Sequence, residues 1–128
     1  MWTDVYIKIK FFIPIILQKM AESENIIEIT SKDQFDEEIK SDILTIVDFW
    51  AVWCGPCRVL KPLLHKIAGE HPEIQLLTVD VDVNQELAAQ YDINSIPAVF
   101  FFRNGEIVDS FVGVMPEDEI VKKIEANK

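Results

Sequence analysis

The sequence has little of what marks several large classes of protein. Only two of its 128 residues are cysteines, so its stability depends on a hydrophobic core, which a chain of this length can form without disulfide staples. It has 12 basic against 22 acidic residues, and a net charge of −10 is unfavourable for binding nucleic acid. It has no apolar run of the ~20 residues that a helix needs to cross a membrane, and no linker or internal repeat. What remains is one acidic, globular domain.

The first nineteen residues differ in charge from the rest. They carry a net charge of +2, so the remainder of the chain carries −12. The apolar run at 11–17 (FFIPIIL) is similar to the apolar part of a secretory signal, but Pro14 interrupts it and no small-residue cleavage site follows. We therefore expect residues 1–20 to be an N-terminal extension of a domain at 21–128. Two alternatives stay open: a stretch upstream of a natural start at Met20, or a leader or membrane-surface anchor.

From residue 26 onward, the hydrophobic pattern alternates between strand and helix. Runs of β-branched and aromatic residues predict buried strands, and apolar residues recurring four apart predict helices. The predicted strands are 26–29, 44–50, 74–81, 98–103 and 107–112, and the predicted helices begin near Ser31, Cys54, Asn84 and Pro116. This order predicts parallel pairing first and an antiparallel hairpin last. We expect an α/β fold of three layers, with a mixed sheet of about five strands flanked by four helices.

Local signals refine the helices and the hairpin. Ser31 followed by Gln34 has the spacing of a capping box, and Asn84 is expected to cap the third helix. Pro62 should kink the second helix, and the last helix should bury Val121 along with two isoleucines. The pair Asn104-Gly105 predicts the tight turn of the final hairpin.

Both cysteines lie in the pentapeptide WCGPC, between a buried strand and a helix. A structural disulfide here would close a loop of two residues and stabilise little. A zinc site would need two more ligands, and the spacing to His65 and His71 does not match the usual patterns. A redox pair fits better, because unpaired N–H groups and the helix dipole stabilise a thiolate at Cys54. Pro56 costs little in the first helical turn, and Cys57, one turn on, is expected to be more buried and to react second.

The segment FWAVWCGPCR resembles the active-site segment of the thioredoxin family. The resemblance extends over about residues 25–127 and includes Asp48, Ile96-Pro97, Asn104-Gly105 and Val112-Gly113. It implies the thioredoxin fold and a thiol–disulfide oxidoreductase that reduces protein disulfides. In this family the residue matching Cys54 attacks the substrate disulfide, and the residue matching Cys57 resolves the mixed disulfide that forms. The redox-active disulfide is the only redox group, and the resemblance implies no other cofactor and no metal.

The resemblance also implies roles for residues around the cysteines. Asp48 matches the buried carboxylate that manages the proton of the second cysteine, and Gly55 and Pro56 form the loop between the thiols. Ile96-Pro97 matches the cis-proline that faces the cysteines. The implied substrate-binding rim consists of Trp53, Ile96, Pro97, Val112 and Gly113, whereas Trp50 matches a tryptophan of the core.

Two positions depart from the family pattern. Thr78 stands where many bacterial members have a lysine near the buried carboxylate, which puts the proton step in doubt. Arg58 stands where lysine is common and keeps a positive charge near the thiols.

The resemblance implies partners and a location as well. We expect disulfide-containing substrate proteins, a thioredoxin reductase that restores the dithiol, a monomeric state and a cytoplasmic location. One alternative is an exported or membrane-associated reductant of envelope proteins, which residues 1–19 would direct. Another is a subunit that binds a partner through the rim without turnover.

Overall fold

A computed structural model of the chain describes residues 25–128, in which five strands and four helices follow one another. The strands are β1 (Ile26–Glu28), β2 (Thr45–Trp50), β3 (Gln75–Asp80), β4 (Ala98–Arg103) and β5 (Glu106–Val112). The helices are α1 (Lys32–Glu38), α2 (Gly55–Glu70), α3 (Gln85–Gln90) and α4 (Glu117–Asn127). The predicted extension at 1–20 lies outside the described residues.

The strands form one mixed sheet in the order β1-β3-β2-β4-β5. β1, β3 and β2 are parallel to one another, while β4 runs antiparallel to β2 and pairs with β5 in a hairpin. β2 is therefore the central strand. This arrangement confirms the predicted fold class.

Helices cover both faces of the sheet because consecutive strand residues point to opposite sides. On one face Ile46 packs in a cluster with Leu60 of α2 and Ile120 of α4. On the other face Val47 packs with Phe35 of α1 and Leu87 of α3. The end of the buried strand β2, and the cysteines that follow it, are thus held from both sides.

The hairpin turn has the backbone that its residues favour. Asn104 and Gly105 both have positive φ, 53° and 81°. Positive φ at both central residues is what a type I′ turn requires, and Asn and Gly tolerate it best. The prediction from the dipeptide is confirmed.

Three local predictions need correction, those for Asn84, Gln34 and Val121. Asn84 occupies the N-cap position of α3 but makes no side-chain cap bond, since its Nδ2 donates instead to the carbonyls of Ile29 and Asp80, at 3.2 and 3.1 Å. At α1, Ser31 Oγ accepts from Gln34 N as predicted, but Gln34 Oε1 accepts from the N–H of Thr30, one residue before the cap.

In the last helix, Ile120 and Ile124 are fully buried whereas Val121 is only partly so, because it lies at the margin of the helix face that packs on the sheet. In the second helix, where the sequence predicts a kink at Pro62, α2 runs as one helix through that residue.

Candidate active site

The two cysteines lie at the junction of β2 and α2. Cys54 is the N-cap of α2 and Cys57 lies in its first turn, with their Cα atoms 5.3 Å apart and their sulfurs joined in a disulfide. The backbone N–H of Cys57 donates to Cys54 Sγ at 3.2 Å. A helix N-terminus offers N–H groups without intrahelical partners, and a sulfur at the N-cap receives one of them. The geometry can therefore stabilise negative charge on Cys54 when the disulfide is reduced.

Both cysteines are almost completely buried, so the predicted difference in burial between them is small. Cys54 is 4% exposed and Cys57 is 2% exposed, because both pack against Ala51 and the partly buried Trp50. The exposed residues of the loop are Val52, Trp53, Gly55 and Pro56. What distinguishes the cysteines is position: the sulfur of Cys54 receives the helix N–H, whereas Cys57 supplies it.

Asp48 is buried in the middle of the sheet. It is 1% exposed, and its register neighbours are Thr78 on β3 and Val99 on β4, neither of which carries charge. Its Oδ1 has no hydrogen-bond partner among the residues described. Burial raises the pKa of Asp48 from 3.8 to about 7, and the positive charge of Lys61 opposes this rise. A carboxyl with a pKa near neutrality can take up and release a proton under physiological conditions.

Lys61 was not singled out by sequence reasoning, yet it lies beside the site. Its Nζ is 3.4 Å from the ring centroid of Trp50, within the range of a cation–π contact. It lies four residues after Cys57 on α2, so the two share a helix face. That spacing was the available signal, but only the packing of α2 on β2 shows that the ammonium group meets Trp50.

A cavity of about 310 Å³ opens between α2 and the end of β2. Its lining residues are Trp50, Ala51, Val52, Cys57, Arg58 and Lys61. The guanidinium of Arg58 is held by a bond from Nη2 to the carbonyl of Val52 at 3.2 Å. The cavity gives solvent a route to the inner cysteine and is large enough to admit water.

The loop before β4 brings a second segment to the cysteines. The peptide bond between Ile96 and Pro97 is cis, and the carbonyl oxygen of Ile96 lies 3.7 Å from Cys54 Sγ. The N–H of Gly113 donates to the carbonyl of Pro97 at 2.8 Å, and Gly113 has a φ of +87° that disfavours a side chain. The structure therefore brings Ile96 to the disulfide, with Pro97 next to it in the chain and Gly113 bonded to Pro97.

The remaining members of the predicted rim are exposed. Trp53 is 67% exposed and Val112 is 66% exposed. The indole N–H of Trp53 donates to Asp82 Oδ2 at 2.8 Å, which fixes the ring at the surface. Sequence reasoning missed Asp82, because its contact with Trp53 spans 29 residues and no local pattern indicates it. Exposed apolar side chains around a reactive sulfur form a surface that another protein can cover.

The two histidines are His65 on α2 and His71 at the C-cap of the same helix. Both side chains are partly buried, and burial lowers the pKa of His65, with a further contribution from the charge of Lys61. His71 contacts the carboxylate of Glu73 through Nδ1 at 2.8 Å. Within residues 25–128, no group of three or more His, Cys, Asp or Glu side chains could hold a metal ion.

Among the helices of the described part of the chain, none is both long and apolar enough to span a bilayer.

Comparison with known proteins gives one consistent result. The family model "Thioredoxin" matches residues 26–126. The thioredoxin of Staphylococcus epidermidis is 40% identical over 101 residues, which cover 78% of this chain and 95% of that protein. The thioredoxin of Staphylococcus saprophyticus is also 40% identical over 101 residues, with the same two coverages. The X-ray structure of Fasciola hepatica thioredoxin is similar with a TM-score of 0.74 and 35% identity, covering 79% of this chain and 98% of that one.

Proposed function

Since the chain belongs to the thioredoxin family, and is therefore a thiol–disulfide oxidoreductase with Cys54 and Cys57 as its redox-active pair, we propose how that pair divides the reaction. Cys54 is the nucleophile and Cys57 is the resolving thiol. The observation that carries this proposal is the position of Cys54 Sγ at the N-cap of α2, where it accepts the N–H of Cys57. Stabilisation of the thiolate at that position favours Cys54 as the attacking group.

The reaction then has two exchange steps. The Cys54 thiolate attacks one sulfur of a substrate disulfide, and the other substrate sulfur leaves as a thiolate that takes up a proton. The Cys57 thiolate next attacks Cys54 Sγ and releases the second substrate thiol. Two electrons pass to the substrate, and the Cys54–Cys57 disulfide that the structure contains is the product form.

Asp48 is proposed as the base that takes the proton of Cys57 before the second step. A pKa raised to about 7 by burial suits this task. The cavity lined by Cys57 and Trp50 supports the proposal, because Trp50 lies two residues after Asp48 on the same strand face and water in the cavity can relay the proton.

The substrate is proposed to dock on the rim formed by Trp53, Ile96, Pro97, Val112 and Gly113. Exposure of Trp53 and Val112 supports an apolar contact there. The backbone next to Pro97 can pair with an extended substrate segment as an added strand, which positions the target disulfide over Cys54.

The family gives the partners in general terms, whereas the reductase and the cytoplasmic location are proposals. As a member of the family, the chain acts on disulfide-containing proteins and receives electrons from a reductase. We propose a cytoplasmic thioredoxin reductase as that donor; the monomeric state stays a prediction. Mass spectrometry of the mature N-terminus tests the location: a start at Met20 or Ala21 excludes the exported alternative, and retention of the upstream residues contradicts a start at Met20.

Insulin reduction with dithiothreitol as electron source tests the proposed division of roles. Cys54→Ser should abolish catalysed reduction, because it removes the nucleophile. Cys57→Ser should stop turnover but accumulate protein in mixed disulfides, because it removes only the resolving thiol. Retention of full turnover by Cys54→Ser would contradict the proposal. Biological activity kept by a Cys54→Ser, Cys57→Ser double variant, which has no thiol for the exchange, would favour the binding-subunit alternative.

A further inference from the structure

The buried carboxylate of Asp48 needs a compensating charge when it loses its proton, and the sheet does not supply one. Its neighbours in register are Thr78 and Val99, and its Oδ1 has no hydrogen-bond partner among the residues described. Ionising a buried carboxyl without a partner is costly. The charge that acts on Asp48 must therefore come from a helix packed over this face.

α2 and α4 cover this face of the sheet, and α4 contributes the apolar Ile120 and Ile124 to the cluster there. Because strand residues two apart share a face, Asp48 and Trp50 point to the same side as Ile46, which packs against Leu60 of α2. The ammonium group of Lys61 lies 3.4 Å from the ring centroid of Trp50. This contact holds a cation over the strand face that carries Asp48.

The other charged groups near Asp48 are less well placed for this task. On β3 the nearest acidic residue of the same face is Asp80, paired in register with Trp50, and its Oδ1 accepts from the backbone N–H of Asp82. On α2, Arg58 is exposed and directed to the carbonyl of Val52. The partly buried His65 has a pKa lowered by burial and by Lys61, so at neutral pH it contributes little charge. β4 contributes only the apolar Val99.

We propose that Lys61 is a positioning residue for the thiol–disulfide exchange: its ammonium group, held over Trp50 beside the cavity that reaches Cys57, is the positive charge that governs the ionisation of Asp48. Cys57 and Lys61 lie one helical turn apart and line the same cavity. The resolving thiol, its base and the cation acting on that base are thus held together by α2 and β2. The inference rests on the proposed proton role of Asp48.

The direction of the effect follows from the sign of the charge. A nearby cation favours the carboxylate, so it offsets part of the rise that burial causes in the pKa of Asp48. Without Lys61 the carboxyl would keep its proton to higher pH and would be a base for a smaller fraction of molecules at neutral pH.

Three variants test the proposal in the full-length chain. Lys61→Met removes the charge and keeps an unbranched side chain over Trp50, while Lys61→Arg keeps the charge. Lys66→Met is the matched control, because Lys66 lies on the same helix but is exposed and paired with Glu117 at 3.1 Å. The Asp48 carboxyl is titrated by ¹³C NMR from pH 4 to 9 in the oxidised protein, where neither cysteine titrates. NMR also reports directly whether each variant is folded.

We expect Lys61→Met to raise the pKa of Asp48 by roughly half to one pH unit, a three- to tenfold gain in proton affinity, with Lys61→Arg and Lys66→Met close to the unsubstituted protein. An unchanged Asp48 titration in Lys61→Met, or an equal change in Lys66→Met, would overturn the proposal.

A second readout separates this proposal from the one on which it rests. The pH profile of single-turnover insulin reduction should shift to higher pH in Lys61→Met, by the same amount as the Asp48 titration. Lys61→Arg should keep the profile of the unsubstituted protein. If the titration moves and the profile does not, Lys61 acts on Asp48 but the proton step through Asp48 is refuted. If the profile moves and the titration does not, the link through Asp48 is refuted.

Discussion

Asp48→Asn is expected to make the oxidised protein more stable at alkaline pH while leaving its stability in acid nearly unchanged. Asp48 is 1% exposed, and burial raises its pKa from 3.8 to about 7. A difference of about three pH units between the folded and unfolded chain corresponds to about 4 kcal/mol. This is an upper limit, because an asparagine amide at the same site also leaves a buried polar group without a partner. We therefore expect a gain of roughly 2 to 4 kcal/mol at pH 8.5.

The pH dependence identifies the cause. Below pH 3.8 the carboxyl is protonated in the folded and the unfolded chain, so ionisation makes no difference there. Between pH 4 and 7 the unfolded chain loses a proton that the folded chain keeps, so the folded state of the unsubstituted protein loses stability as pH rises, by about 1.4 kcal/mol per pH unit. Above pH 7 Asp48 is ionised in both the folded and the unfolded chain, so the difference in unfolding free energy between the protein and the variant levels off.

Guanidinium unfolding followed by far-UV circular dichroism at pH 4, 5.5, 7 and 8.5 measures the effect, with both proteins oxidised. Subtracting the two curves removes contributions from all other titrating groups. A difference in unfolding free energy that is the same at all four pH values would refute the reasoning, because only an Asp48 with the same pKa in the folded and the unfolded chain would behave in that way.

Substitutions at two further positions test other parts of the account. Trp53→Ala should raise KM for insulin severalfold and change the unfolding free energy by less than about 0.5 kcal/mol, because the ring is 67% exposed; an unchanged KM would contradict its place in the rim. Asn84→Ala should cost about 1 to 3 kcal/mol in chemical unfolding, because it removes the side-chain donor to the carbonyl of Ile29 and one of the two donors to the carbonyl of Asp80, which keeps the backbone N–H of residue 84. Asn84→Asp should cost at least as much, since a carboxylate cannot donate; a smaller loss would indicate a helix cap instead.

The predictable part of the fold depends on local signals. Ser31 caps α1, Asn104-Gly105 forms the hairpin turn, and the buried pattern of β2 identifies the central strand. In each of these cases, the residue types and the backbone they favour lie within a few positions of one another. The redox pair could be located for the same reason, because strand, pentapeptide and helix are consecutive.

What sequence reasoning missed depends on contacts between distant segments. Asn84 was expected to cap its own helix, but β1 offers the carbonyl of Ile29 at 3.2 Å and tertiary contact prevails over local preference. The contact of Lys61 with Trp50 and the bond from Trp53 to Asp82 arise only when α2 and β3 pack beside β2. Helical and strand periodicity indicate which face a residue occupies, but not which side chain from another element it meets.

The division of roles between the two sulfurs is the central claim, and peptide mapping of the trapped intermediate tests it most directly. Cys57→Ser and Cys54→Ser are each reduced, mixed with oxidised insulin, quenched in acid and analysed by mass spectrometry without reduction. The account predicts an insulin chain linked to Cys54 in the first variant and little or no adduct in the second, because only the sulfur at the helix N-cap is stabilised as a thiolate. Equal or greater accumulation of an adduct on Cys57 in Cys54→Ser would contradict it.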